Sequence, residues 1–313
     1  MRSGALVLRP LKHAVKAVLE TLRRQRTANR IKQSERHVTR GELTADLLKL
    51  GIAPGDTLFI HSSLKSLGYV EGGAAAVVGA LQDAVGPQGT LLIPTYYMPG
   101  GTILGTCELK DYVFDARAQG THMGRLPETF LASAGIHRSI HPTHSVSAWG
   151  RHARHLTEGH HQAPSVFGVG SPWQRFLDVP NAKVLGLGIS MGPVTFYHVL
   201  EDAIGDAFPV RVWLDKTYQM PCRDADGTIW NVPVRPFEAA VTERRIDHPS
   251  RADLRDYFRD EFDRAGLRVT GRVGSADSWF IPARDFYDHL KALAGDGITI
   301  YSTASELAAR PVK

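Results

Sequence analysis

Two short stretches carry residue types whose spacing could do chemistry. In "TFYHVLE", residues 195–201, His198 and Glu201 stand three apart. On a helix that spacing puts both side chains on one face. A carboxylate bound to one ring nitrogen fixes the tautomer of an imidazole and leaves the other nitrogen ready to accept a proton near neutral pH. Such a pair suits proton removal from an amine as it attacks an electrophile. Thr195, one turn earlier, adds a hydroxyl that could donate to a developing oxyanion. As packing alone, the same residues are an ordinary helical pair, and both readings stay open at this point.

The second stretch is "DTLFIHSSLKSLGYVEGG", residues 56–73, where an apolar strand runs into His61, Ser62, Ser63 and Leu64. Gly68 follows, and Gly72-Gly73 opens a helix. Small hydroxyls beside unpaired helix-start N–H groups form a rim that can hold phosphate. A local hydroxyl turn with a helix cap accounts for the two serines equally well. A third stretch, "RSIHPTHSV" (138–146), offers His141 and His144, with Pro142 stiffening the segment. His144 reads as a local residue. His155, His160 and His161 lack carboxylates at ligand spacing, so no metal site is expected.

These residues need elements to position them. Thr39 with Glu42 forms a capping box that opens a helix to Leu50, Gly51 ends it, and Pro54-Gly55 turns the chain. Strands are expected at "TLFIH" (57–61), "GTLLIPT" (89–95), "SVSAWG" (145–150) and "AKVLGLGI" (182–189). Helices alternate with them at 72–86, 125–135, 171–178 and 194–205. A loop of about 25 residues follows "GTLLIPT", a length that points to function. Residues 210–238 read as a β-meander with "DADG" as its hairpin turn. The remainder returns to helices and short strands, including "ITIYSTASELA" (298–308). The expected class is α/β with a β-rich insertion.

Composition narrows the class further. The 313 residues are 43% hydrophobic and 22% charged, which suits a folded globular chain. Two distant cysteines, Cys107 and Cys222, with no CxxC spacing argue against a zinc cage or a disulfide framework and favour a reducing, cytoplasmic setting. No apolar run is long enough to span a membrane. Residues 1–40 hold eleven Lys and Arg against Glu20 and Glu35, a net +9 that leaves −4 for the rest of a chain whose total is +5. The high pI therefore belongs to an N-terminal extension, and nucleic-acid binding is not expected of the body. Leu8, Leu11, Val15, Val18, Leu19 and Leu22 give that extension the pattern of a basic amphipathic helix, suited to a membrane surface or a protein partner. The domain reading is 1–40 as the extension and 41–313 as the catalytic body.

Taken in order, "HSSLKSLG" (61–68), "GGAAAVVGALQDAVGPQGTLLIPT" (72–95), "HMGRLPETF" (122–130), "RSIHPTHSVSAWGRHA" (138–153), "GSPWQRFLD" (170–178), "VLGLGI" (184–189), "TFYHVLE" (195–201) and "GRVGSADSWFIPARDFYDHL" (271–290) resemble the aminoglycoside 3-N-acetyltransferase family. The resemblance implies the antibiotic acetyltransferase-like fold, with a central mixed sheet and flanking helices. It also implies acetyl-CoA-dependent transfer of an acetyl group to an amine, without a covalent acyl-enzyme. His198 would be the base, Glu201 its orienter and Thr195 a donor, with His141 of the His-Pro dipeptide a second candidate. His61, Ser62, Ser63, Leu64, Leu67 and Gly68, with Pro94 and Thr95, would receive the coenzyme and its pyrophosphate. The family's polycationic substrates imply an acidic pocket, for which Asp111, Asp115, Glu128, Asp202 and Asp206 are available. Two departures stand out: "ARAQGTHMG" where the family tends to carry Thr-Pro before Met-Gly, and Leu131 where an arginine is common. The acceptor could therefore be an amino sugar other than an aminoglycoside. A longer acyl donor, or a coenzyme A-binding scaffold recruited through the N-terminal extension, remain alternatives.

Overall fold

The computed structural model describes residues 37–309, so the basic amphipathic segment lies outside the described residues. Strand β1 (His37–Val38) leads into helix α1 (Arg40–Leu50). There the Thr39 hydroxyl accepts from the Glu42 N–H, the Glu42 carboxylate accepts from the Thr39 N–H, and Gly51 stops the helix at φ 107°. Next come β2 (Thr57–Ser62), β3 (Tyr69–Val70), α2 (Gly73–Val85) and β4 (Thr90–Pro94). The long loop carries structure of its own, α3 (Ile103–Cys107) and β5 (Phe114–Asp115). It is followed by α4 (Arg125–Leu131), β6 (His137–Arg138), β7 (Val146–Gly150), α5 (Ala153–Thr157), α6 (Pro172–Phe176) and β8 (Ala182–Leu187). A 3₁₀ turn, Thr195–His198, runs into α7 (Val199–Ile204). The hairpin β9 (Tyr218–Arg223) and β10 (Ile229–Val234) precedes α8 (Ala239–Arg244), α9 (Ala252–Arg264), β11 (Val269–Val273), β12 (Ala276–Pro282), α10 (Ala283–Gly295) and α11 (Ala304–Ala308).

Seven strands form one mixed sheet in the order β11-β12-β8-β2-β4-β7-β6. β2 is parallel to both β8 and β4, and antiparallel strands complete each side. Alternation along β2 divides the core. Leu58 and Ile60 join α1, α2 and α4 on one face, while Phe59 faces the layer of α6, α9 and α10 on the other. Phe59 is fully buried and its ring meets Trp173, Phe176 and Phe196. Such burial stabilises by roughly 1.5–3 kcal/mol. Lys183 Nζ ties β8 to the start of β2, 2.5 Å from Asp56 Oδ2, and also donates to the Gly51 carbonyl.

The expected β-meander is smaller than the sequence suggests. β9 and β10 form a hairpin, and β5 adds a parallel third strand borrowed from the long loop. Asp224 shapes the hairpin turn, its carboxylate accepting from the N–H groups of Asp226 and Thr228 and from the Trp230 indole. Trp213 and Phe237 make one isolated bridge and stack with centroids 4.4 Å apart. "ITIY" is a turn, not a strand. Ile298, Ile300 and Tyr301 are buried there, and the Ser302 hydroxyl accepts from the Thr299 N–H. No helix among the described residues is long and apolar enough to cross a membrane.

Candidate active site

Topology brings the two chemistry-bearing stretches together. The chain leaving β2 packs α2 against the Leu58 face, whereas the chain leaving β8 goes to the opposite face. Where neighbouring parallel strands send their connections to opposite faces, a crevice opens at their carboxyl ends, and open α/β sheets bind ligands there. His61-Ser62-Ser63 lies on one lip of this crevice. Residues 188–198 form the other, held by Ser278 Oγ accepting from the Gly188 N–H and by Trp279 Nε1 donating to the Ile189 carbonyl.

The 3₁₀ turn is fixed by its two middle residues. Phe196 stacks on Phe286 at 5.6 Å, and Tyr197 packs between Phe286 and Phe258. His198 follows directly, with Phe167 and Phe237 against its ring at 5.2 and 5.1 Å. Its Nδ1 lies 2.9 Å from Glu201 Oε1, so the ring presents Nδ1–H to the carboxylate and keeps Nε2 for other work. The same oxygen accepts from the Tyr301 hydroxyl at 2.5 Å. Glu201 is 2% exposed, and its Oε2 has no partner among the described residues. Tyr301 is the functional residue that sequence reasoning missed: it comes 100 residues after Glu201, inside an apolar run.

Two other histidines singled out in the sequence lie near the imidazole. The His61 ring stacks on Phe59 at 5.2 Å. Burial, and then the nearby His198, lower its pKa to about 3, and its Nε2 is buried without a partner. His144, expected to be local, also lies within reach of His198's charge, and burial holds it well below the usual imidazole range. Its ring packs edge-on against Tyr96 at 4.6 Å, and Nδ1 is 2.8 Å from the Thr143 hydroxyl. The Thr195 hydroxyl faces the Tyr96 phenol; burial raises that phenol's pKa and Thr195 lowers it by less. Neither oxygen has a well-formed hydrogen bond. His61 and His144 thus lie near His198, and the buried His61 Nε2 and the Tyr96 and Thr195 hydroxyls have hydrogen-bonding capacity left over.

His141 sits one ring further out. Its Nδ1 accepts from the N–H groups of Thr143 and His144, and its ring stacks on His160 at 4.6 Å, so it pins the loop that carries His144. His160 is spent on Ser139 and the Val166 carbonyl, and the His161 ring packs on Trp230. Among the described residues no three His, Cys, Asp or Glu side chains are grouped as a metal would need.

On the rim, Ser63 donates its N–H to the Leu187 carbonyl and its hydroxyl accepts from Ser66. Gly68 lies at φ 85°, and a Cβ there would sit 2.7 Å from Ser275 Oγ, so only glycine fits. Gly72 caps α2 at φ 77° without a side-chain acceptor. Leu67 and Thr95 are wholly buried. The Thr95 hydroxyl is used on Ser145 and Ser147, while Pro94 ends a buried strand. Arg138 locks this region, donating to the carbonyls of Thr95, Gln119 and Gly120 and to the Ser145 hydroxyl, with burial lowering its pKa to about 10.

The expected acidic residues do not gather. Asp115 accepts from the N–H groups of Arg117 and Ala118 and faces Arg223, Glu128 pairs with Arg125, and Asp111 occupies a left-handed turn at φ 57°. Asp206 is exposed. Only Asp202 adjoins the dyad. Burial raises its pKa, opposed by the Phe167 N–H and the Ser165 hydroxyl.

Known proteins similar to this chain agree on one family. The sequence model described as aminoglycoside 3-N-acetyltransferase matches residues 59–294. The chain belongs to that family. Within it, aminoglycoside N(3)-acetyltransferase III from Salmonella sp is 34% identical over 257 residues, covering 79% of this chain and 88% of that protein. Aminoglycoside N(3)-acetyltransferase VII from Streptomyces paromomycinus is 31% identical over 285 residues, covering 82% and 92%. Among solved structures, aminoglycoside acetyltransferase AAC(3)-Xa superposes with a TM-score of 0.69 at 29% identity, over 85% of this chain and 95% of that one. AAC-IIIb in its binary complex with CoASH gives 0.69 at 26% identity, over 86% and 100%. The family's activity is N-acetyl transfer, and this chain shares its mixed α/β fold.

Proposed function

We propose that this chain transfers the acetyl group of acetyl-CoA directly to a primary amine of an amino sugar. The observation that carries the reading is the buried chain His198–Glu201–Tyr301, set at the carboxyl ends of β2 and β8. The rim of His61, Ser62, Ser63, Leu64 and Gly68 receives the coenzyme, with the uncapped first turn of α2 available to its phosphates. A relative solved with CoASH supports coenzyme A as the carrier of the acetyl group.

His198 Nε2 takes the proton that the amine loses as its nitrogen bonds to the thioester carbon. The Glu201 carboxylate stabilises the imidazolium that results, and Tyr301 keeps that carboxylate from rotating. As the carbon–sulfur bond breaks, the imidazolium returns its proton to the departing sulfur, giving the thiol and an amide. Thr195 and Tyr96, whose hydroxyls have capacity left over, are placed to donate to the oxygen that gains charge. Asp202 contributes to the acceptor side. Aminoglycosides are the substrates in the relatives' names, and AAC-VIa has been solved with sisomicin.

The test is thiol release from acetyl-CoA against a panel of amines, including aminoglycosides and simple amino sugars. Release that depends on an amine, with the N-acetyl product detected by mass, supports the reading. Release no faster than hydrolysis with every amine sinks it.

A further inference from the structure

Charge around the His198 ring does not balance within the dyad. Glu201 is bonded to it, and Asp202, whose hydrogen bonds go to the Phe167 N–H and the Ser165 hydroxyl, lies within reach of its charge. A third carboxylate, Asp247, lies within the same reach. His61 from β2 and His144 from the segment before β7 also stand near the ring, but burial holds both neutral. Tyr301 adds only a phenol behind Glu201. Three carboxylates about one imidazole favour its protonated form. A ring that stays protonated cannot take a proton from an amine.

The counterweight is Arg245, on the chain between α8 and α9. It grips Asp247 with both arms, Nε to Oδ1 at 2.6 Å and Nη2 to Oδ2 at 2.8 Å. Its guanidinium lies over the Phe237 ring, 5.3 Å from the centroid, and the His198 ring packs on that same ring at 5.1 Å. Ile246, between the two charged residues, is buried and donates its N–H to the Ile300 carbonyl at 2.9 Å, one residue before Tyr301. The Ile246 carbonyl accepts from Arg255 at 2.9 Å, so both peptide groups of this segment are tied down. Burial works against the Arg245 charge, and the Asp247, Tyr301 and Glu201 groups together outweigh it.

We infer that Arg245, clamped by Asp247, sets the pH at which His198 works, offsetting the carboxylates so that the imidazole is neutral when an amine arrives. Arg245 and Asp247 are positioning residues, acting through the charge state of the ring. This rests on His198 as the base in the reading above and adds the pair that tunes it.

The experiment follows the His198 ring by NMR in protein labelled with ¹³C-histidine, its signal identified by its loss in His198→Ala, and measures kcat/KM against pH in parallel. Arg245→Gln should move the ring's titration and the acid limb of kcat/KM to higher pH by at least about 0.5, and Asp247→Asn should move both lower. The double variant should bring them back near wild type, and Arg245→Lys, which keeps the charge, should leave them nearly in place. A purely structural pair would lower Tm and turnover in each single variant without opposed displacements. Tm verifies folding, and Asp247→Asn alone tests the sign if Arg245→Gln does not fold. Displacements in one direction for both single variants, or none in either, overturn the inference while leaving N-acetyl transfer standing. Absence of turnover with every amine overturns the transferase reading, and the ring's titration, read without substrate, keeps the two failures apart.

Discussion

Replacing Glu201 with glutamine keeps the shape of the side chain and removes its charge. In the native site Oε1 accepts from His198 Nδ1 at 2.9 Å and from Tyr301 at 2.5 Å. A glutamine oxygen can still accept from both, so the ring should stay in place. What disappears is the attraction between carboxylate and imidazolium once the proton has moved. Two unit charges about 4 Å apart attract by about 4 kcal/mol at an effective dielectric of about 20. If most of that is felt in the transition state, kcat falls by about 10²–10³-fold. Thiol release at saturating acetyl-CoA and amine reads kcat, and calorimetry reads coenzyme affinity, which should not change. Stability should not fall either, because a buried and half-partnered carboxylate is costly and an amide is less so. A folded Glu201→Gln enzyme that keeps more than about a tenth of the wild-type kcat would refute the reasoning.

Further outcomes follow from other contacts. Tyr301→Phe removes one hydrogen bond to a charged group, worth about 1.5–3 kcal/mol, so kcat should fall by roughly tenfold or more with KM for the coenzyme unchanged; steady-state kinetics at saturation checks it. His61 and His160 have pKa values lowered to about 3 by burial, and His141 and His144 lie well below 6.5 for the same reason. The unfolded chain binds those protons below about pH 6.5 and the folded chain does not, so stability is complete above that pH and is lost as pH falls toward 3. At pH 5 His61 and His160 together should cost about 4 kcal/mol, read as a steep fall in denaturant midpoint between pH 7 and 5; a flat profile contradicts it. Lys183→Ala leaves Asp56 buried without its partner and should destabilise by about 3–5 kcal/mol while leaving the coenzyme KM untouched, which denaturant melts and kinetics together measure.

Much of the frame was legible because local signals agreed. Apolar runs bounded by Gly and Pro marked β2, β4 and β8, and the Thr39–Glu42 box and Gly51 set both ends of α1. Spacing put His198 and Glu201 on one face, and the family resemblance was what gave the pair a role. Its backbone differs from the expected single helix: Thr195–His198 is a 3₁₀ turn, imposed by Phe196 and Tyr197 wedging between α9 and α10. What sequence hides is contact between distant residues. Tyr301 reads as one more apolar residue until the fold lays it on Glu201. His144 reads as a neighbour of His141 until the fold brings it within reach of His198's charge. Asp115 and Glu128 have the charge for a cationic ligand, but local backbone and arginine partners occupy them.

The central claim is that the His198 imidazole takes the proton from the attacking amine. It is tested most directly by His198→Ala, assayed for thiol release and for acetyl-CoA binding in parallel. The ring packs on Phe167 and Phe237, neither of which belongs to the coenzyme rim, so coenzyme affinity should stay within about threefold of wild type while turnover drops by at least about 10²-fold. A folded variant that acetylates an accepted amine at the wild-type rate would contradict the claim.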